Sequence, residues 1–330
     1  MRKFRWLAIM LAFVLVAAAC GGDGDDTTTT GGGTQDTVDL TQGGDLTFHM
    51  VTHSDDGPFW AVVKRGMDDA CAAVGVSCVW SPSVNTPEKQ VQDIDAAIAA
   101  GSDGIAISLA SPDQVGPAAQ RVTDAGIPLY TLNSGLEQFE SLGAVTHIGQ
   151  TEFVAGQGAG KRFNDLGVSH VLCAFQEQSN VGLEDRCNGM ADTFNGTTTI
   201  EFGGLDQDVP AQEASVAALL AADTSIDAIF GTGPVIVISA LNASKTAGRG
   251  AAIGGVDVTP QVIDAIEAGE ISFTIDQQQY LQGYLPIILM FLQATNQNTA
   301  GGGLPILTGP GFITQDNAAE VKALSAAGTR

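Results

Sequence analysis

The sequence predicts an α/β fold built on two parallel sheets, and three observations carry that expectation. From residue 46 onward, short apolar strands alternate with amphipathic helices. Runs such as GIAISL (104–109) and SHVLCAF (169–175) are apolar at nearly every position, as strands covered on both faces are. Ten such strands follow one another, too many for one open sheet and suited to two sheets of about five.

Taken in order, the first strand is LTFHMVT (46–52), which alternates apolar and polar residues. HSDDGPFW (53–60) is the turn that follows. Asp55 or Asp56 suits a helix cap, Pro58 suits a first turn, and the helix beyond carries Val63, Met67, Ala70 and Val74 on one face. Phe59 and Trp60 either pack that helix or present a ring as a wall for a ligand. The next strands are VSCVW (76–80), GIAISL, IPLYTL (127–132), VTHIG (145–149), SHVLCAF, TTIEFGG (198–204), DAIFGT (227–232), AAIGGV (251–256) and ISFTID (271–276). Helical stretches such as EKQVQDIDAAIAA, PDQVGPAAQRVTDA, EFVAGQGAGKRFNDL, PAQEASVAALLA and TPQVIDAIEA lie between them. A break near Gln150 divides the series into two halves.

Residues 1–19 read as an export signal: Arg2, Lys3 and Arg5, an apolar run, then Ala17-Ala18-Ala19 before Cys20. Small residues ahead of a cysteine resemble a lipobox, which makes Cys20 the expected lipidation site. Residues 20–45, rich in Gly, Thr and Asp with little to bury, read as a flexible tether behind that anchor. Removal of the signal leaves 311 of the 330 residues, a length natural for two lobes. It also takes away three of the 14 basic residues, leaving 11 against 37 acids, a net charge of −26. Nucleic acid and anionic membrane surfaces are poor partners for such a chain.

Four cysteines follow Cys20. Cys71 and Cys78 flank the end of one helix and the next strand, and Cys173 and Cys187 flank a strand-to-helix passage. Outside the cytoplasm two local disulfides are expected, with the other pairings open. Metal binding is not expected. The chain has no CxxC, and His49 and His53 lie about 13 Å apart along a strand. GQGAGKRF (156–163) fails as a phosphate loop, because three residues separate Gly156 from Gly160 and no Ser or Thr follows Lys161. Its small residues are expected to pack a helix against a sheet. No catalytic signature such as GxSxG or HExxH is present.

In open α/β sheets, ligands bind beyond the carboxyl ends of the strands. Those ends here carry His53 to Trp60, Leu109 to Ser111, Asn133-Ser134, Gln150, Gln176 to Asn180, Asp206 to Asp208, Gly233-Pro234, Asp257 and Asp276 to Gln279. They are neutral hydrogen-bonding groups, carboxylates and two aromatic rings, with only Arg186 as a nearby base. Asp and Asn oxygens accept hydroxyl donors, amide NH2 groups answer ring and hydroxyl oxygens, and an aromatic ring packs on a sugar's C–H face. An amino acid or a phosphate would call for Arg or Lys opposite its anion.

The chain resembles the ribose/galactose type of periplasmic sugar-binding protein, the extracytoplasmic receptor of an ABC transporter. The pieces that carry the resemblance are VTHSDDGPFWAVVKRGM, GIAISLASPDQV, GIPLYTLNS, THIGQTEFVAG, GLEDRCNGM, AIFGTGPVIVISALNASKTAG, IGGVDVTPQVIDAI, FTIDQQQYLQGY and LTGPGFITQDN, in family order over nearly all of 46–320. The resemblance implies the type I periplasmic binding protein fold: two Rossmann-like lobes joined by a three-crossover hinge, with crossovers near Gln150, Asp276 to Gln279, and Leu307 to Pro310. The expected lobes are 46–149 plus 280–309 and 150–279 plus 310–330.

It also implies a ligand set. Phe59 and Trp60 match the family's aromatic pair, and Asn133, beside Ser134, stands where the family carries Asp. Asp257 and Gln277 match binding positions directly. Glu184 stands where ribose binders carry Arg, and Gly233 where they carry Asn. His53, Asp55 and Asp56 come from the first turn and Asp208 from a later loop. These departures point away from ribose and toward a differently substituted neutral monosaccharide or a cyclic polyol. The implied partner is an ABC permease; no cofactor, no metal and no nucleic acid are implied, and a monomer is expected. Alternative readings are a sugar or signal-molecule sensor and, less well supported, a glycosidase using two cleft acids.

Overall fold

The computed structural model describes residues 43–55 and 57–330. Cys20, the export signal, most of the tether and Asp56 lie outside the described residues. The first half begins with β1 (Thr47–Thr52), α1 (Gly57–Val74), β2 (Ser77–Pro82), α2 (Pro87–Ala99), β3 (Gly104–Ile107), α3 (Pro112–Asp124), β4 (Leu129–Leu132) and β5 (His147–Gln150). The second half follows as α4 (Glu152–Leu166), β6 (His170–Phe175), α5 (Val181–Thr193), β7 (Thr197–Phe202), α6 (Val209–Ala222), β8 (Ala228–Gly231), α7 (Pro234–Thr246), β9 (Ala252–Val256), α8 (Pro260–Glu267) and β10 (Phe273–Asp276). The chain then returns to the first half through α9 (Gln279–Asn296) and β11 (Ile306–Gly309), and to the second through β12 (Gly311–Ile313) and α10 (Ala318–Ala326).

All ten expected strands form, and each sheet gains a sixth. The orders are β11-β5-β4-β3-β1-β2 and β12-β10-β9-β8-β6-β7, so the two halves repeat one topology. β12 runs antiparallel to β10, and every other pairing is parallel. β11 and β12 escape because ILTG and GFI, separated by Pro310, are only partly buried and lack a continuous apolar run.

Period-two alternation sends side chains of each sheet into two apolar layers. In the first sheet Phe48, Met50 and Tyr130 pack against Val63, Met67, Ile287 and Phe291 of α1 and α9. Val51, Ile105 and Ile107 face Val115, Ala119 and Val122 of α3 on the other side. The second sheet divides likewise. Leu172, Ile229 and Ile253 pack on Val216, Ile236 and Val262, and Val171, Cys173 and Phe230 on Phe163 and Met190.

The small residues of GQGAGKRF do a different job from the one expected. A Cβ on Gly156 would meet the backbone of Arg186 and Met190, and one on Gly160 would meet Met190 O, so these glycines pack α4 against α5, helix on helix. Gly189 answers from α5 by lying against Phe153 O. The first half repeats the device: Gly66 of α1 lies on Tyr280 O and Gly283 of α9 on Val63 O. The four later cysteines pair locally, Cys71 with Cys78 and Cys173 with Cys187.

Candidate functional site

Both sheets have the strand order 2-1-3-4-5 within their first five strands, which places a switch point where the chain leaves the first strand in opposite directions. In the first sheet that point lies between β1 and β3. His53, just past β1, donates its backbone N–H to Ser108 Oγ at 2.8 Å, and its ring Nδ1 lies 2.8 Å from the same oxygen. In the second sheet the equivalent point joins β6 and β8, where Thr232 Oγ1 donates to Gln176 Oε1 at 2.8 Å. The two switch points face each other across a cleft of about 470 Å³.

The walls are built one strand end at a time. Phe59 and Trp60 open α1 and are 8% and 4% exposed. Trp60 stands edge-on to both His53 and Phe59, each at 5.0 Å between ring centroids. These rings are thus both core and cleft wall, because the first turn of α1 lies at the rim where the apolar layer ends. Asn133 follows β4 and Asp257 follows β9, the matching strands of the two sheets. Both hold left-handed backbone, with φ of 60° and 77°. Non-glycine residues rarely adopt that conformation, and it clusters where a structure holds a side chain in a required direction. Gln277, in the second crossover, joins them: its Nε2 donates to Asp257 Oδ1 at 2.6 Å and its Oε1 accepts from Asn133 Nδ2 at 3.4 Å. Ser134 donates to Asn133 Oδ1 at 3.1 Å.

Seven expected residues therefore meet in one cleft: His53, Phe59, Trp60, Asn133, Ser134, Asp257 and Gln277. Gly233 is buried directly behind Gln176, whose amide leaves no room for a side chain there. Three further expected positions do not line the cleft. Asp55 is exposed in the turn before α1. Glu184 is exposed because the buried face of α5 runs through Leu183, Arg186, Cys187 and Met190, leaving position 184 on the outside. Asp208 is the N-cap of α6, accepting from Ala211 N at 3.1 Å, and Asp206 is the acid that this loop places at the cleft.

Residues outside the expected set complete the lining: Gln176, Glu177, Asn180 and Arg186. The first three stand at the carboxyl end of β6, so the strand-end rule covers them. Arg186 is legible only from the phase of α5. It is 5% exposed, and its guanidinium takes both Glu152 oxygens, at 2.6 and 2.9 Å. A third N–H goes to Thr232 O at 2.6 Å. A base so engaged is not presented to an anionic ligand. It instead offsets the carboxylates around it.

Burial pushes the Asp257 carboxyl up to about 7, against the pull of Arg186 and the Gln277 amide. Glu177 goes the other way. Burial raises it, but hydrogen bonds from His53 and Asn180 outweigh that and hold it below the ordinary carboxylate range. The cleft thus presents four amides (Asn133, Gln176, Asn180 and Gln277), a carboxyl poised near neutrality and an aromatic wall. That set can both donate to and accept from a ring of hydroxyls.

A family model described as a periplasmic binding protein domain matches residues 48–298. Among characterised proteins, the xylose/arabinose-binding protein of Sulfolobus acidocaldarius is 28% identical over 285 residues, covering 81% of this chain and 70% of its own. Among solved structures, a carbohydrate transporter from Acidothermus cellulolyticus in complex with myo-inositol is 38% identical, with a TM-score of 0.84 over 87% of this chain and 100% of its own. A solute-binding protein from Burkholderia graminis in complex with D-arabinose shares the fold at 24% identity, with a TM-score of 0.74 over 83% and 96% of the two chains.

Proposed function

Because the chain belongs to the periplasmic binding protein family, we propose that it is the extracytoplasmic receptor of an ABC importer for a neutral monosaccharide or a cyclic polyol. The observation that carries this is the cleft itself. Strand ends of both sheets line it with amides, carboxyls and aromatic rings, and its one arginine is locked to Glu152. A neutral, hydroxyl-rich ring satisfies those groups, and an anion finds no free cation among the lining residues. The relatives support the same class: one is named for xylose and arabinose, and the most identical solved structure cited above holds myo-inositol.

The two halves act as lobes, 46–149 plus 280–309 and 150–279 plus 310–330, and ligand bonded to both stabilises the closed arrangement. Specificity follows from buried polar groups that a wrong epimer leaves unpaired. Micromolar affinity corresponds to about −8 kcal/mol, in reach of a small ring held by many hydrogen bonds. The receptor works as a monomer, tethered through lipidated Cys20 beside a membrane permease, and releases its ligand unchanged.

A thermal-shift screen over pentoses, hexoses and cyclic polyols tests the ligand class, followed by calorimetry on Trp60→Ala. The variant is expected to fold and to bind at least tenfold more weakly. Unchanged affinity would remove Trp60 from the site.

A further inference from the structure

Beyond the cleft lies a second cavity of about 620 Å³, open toward solvent. It is lined from both halves by polar groups, among them Thr86, Glu88, Gln90, Ser111, Gln114 and Ser179. Among the described residues, three line both cavities: His53, Glu177 and Asn180. Their tips meet. His53 Nε2 lies 3.5 Å from Glu177 Oε2 and 3.5 Å from Asn180 Nδ2, and Asn180 Nδ2 donates to Glu177 Oε2 at 2.5 Å. A wall of three polar side chains, one from the first half and two from the second, separates the two spaces.

Each member of that wall is held from behind. Ser108 Oγ accepts the His53 backbone N–H and can donate to Nδ1, which leaves the ring's Nε2–H toward Glu177. Trp60 packs edge-on against the same ring. Asn180 is the N-cap of α5, its Oδ1 accepting from Gly182 N at 3.0 Å. The 177–180 loop is also tied to the first half: Val181 N donates to Ala110 O at 3.2 Å, and Ser111 Oγ donates to Ser179 O at 3.1 Å. The wall is therefore tied from behind on every side, and it is complete only when the two halves are together.

We propose that His53, Glu177 and Asn180 set the length of the ligand. They admit a single ring and exclude one that carries a second ring on the hydroxyl facing them. This rests on the receptor reading above. A glycosyl group at that hydroxyl would have to enter the seam between the halves, displacing the wall and holding the lobes apart. Without the wall, the same group would pass into the second cavity, whose lining suits hydroxyls. The polar lining, rich in groups that accept or donate to hydroxyls, explains why removal of the wall should extend the site rather than merely damage it.

Calorimetry tests this with the tightest neutral ring from the screen and its set of positional mono-O-glucosides, on wild type, Asn180→Gly, and Glu177→Gly/Asn180→Gly. Glycine preserves most of the cap at position 180. Wild type is expected to bind the free ring at least tenfold more tightly than every glucoside. In the double variant that ratio should fall at least tenfold for one positional isomer, with the single variant intermediate. Wild type binding every glucoside as tightly as the free ring would overturn the proposal. So would a ratio unchanged in a folded variant, since a loss of closure alone weakens free ring and glucosides by the same factor. Failure of every free ring to bind would instead overturn the receptor reading, and this proposal with it.

Discussion

Asp257 carries the chemistry of the site at the scale of one residue. Its carboxyl releases a proton near 3.8 when exposed and near 7 in the fold, because burial penalises the charge. The retained proton favours the folded state fully below the ordinary value, and that contribution is lost as pH rises through about 7. Without ligand, wild type should therefore lose stability relative to Asp257→Asn between about pH 5 and pH 8, measured as urea midpoints. Parallel profiles would contradict the burial of this carboxyl. His147 trends the opposite way. Burial holds its imidazole down to about 3 from 6.5, so its contribution is lost as pH falls through that window. The difference between wild type and Asp257→Asn, rather than either raw profile, isolates the carboxyl. Ligand hydroxyls that donate to Asp257 favour its charged form, so binding near pH 7 should release protons. Calorimetry in buffers of different ionisation enthalpy would detect this, and buffer-independent heats would exclude it.

Single elements explain how the site is held, and also where the sequence falls short of it. The close approach of α4 and α5 over Gly156 brings Glu152 within reach of Arg186, so a helix contact sets the electrostatics of the cleft. Gly156→Ala would press a methyl into the Arg186 backbone. It should cost roughly 1–3 kcal/mol in urea unfolding, and an unchanged midpoint would contradict the contact. The disulfide between β6 and α5 braces the same helix. Cys173 and Cys187 are both fully buried, whereas Cys71 is 8% exposed and Cys78 half-buried. Under native conditions with dithiothreitol, alkylation should therefore reach Cys71 and Cys78 first, with Cys173 and Cys187 protected until unfolding. Simultaneous labelling read by mass would contradict that order.

The first ten strands were legible because apolar runs mark buried parallel strands, and their ends then named Asn133, Asp257 and Gln277. β11 and β12 were not, because ILTG and GFI, set around Pro310, are only partly buried and lack the continuous apolar run that marks the other strands. Glu184 matches a binding position by alignment, but alignment fixes a position along a helix and not the face it presents, and on α5 the buried face carries Arg186. Glu177 and Asn180 fall within the strand end that the sequence marks after β6, but their meeting with His53 depends on how the two halves come together, which no local pattern encodes.

At the scale of the whole molecule, a repeated topology is turned to face itself. Each half supplies one switch point, one left-handed residue after its matching strand, and one glycine-packed helix pair. The crossovers that join the halves are knit by amides. Gln278 Nε2 donates to Thr308 O at 2.7 Å, and Gln282 Nε2 to Gln277 Oε1 at 2.9 Å. Gln277 thus belongs to both hinge and cleft, which gives ligand a direct hold on the crossover. The most direct test of that two-sided site is calorimetric titration of the protein, at about pH 7.5, with neutral pentoses, hexoses and cyclic polyols beside amino acids and sugar phosphates. A receptor built this way binds a neutral ring at micromolar concentration and ignores the charged compounds, as expected of a cleft whose arginine is committed to Glu152. Binding of a charged compound with no response to any neutral ring would contradict it.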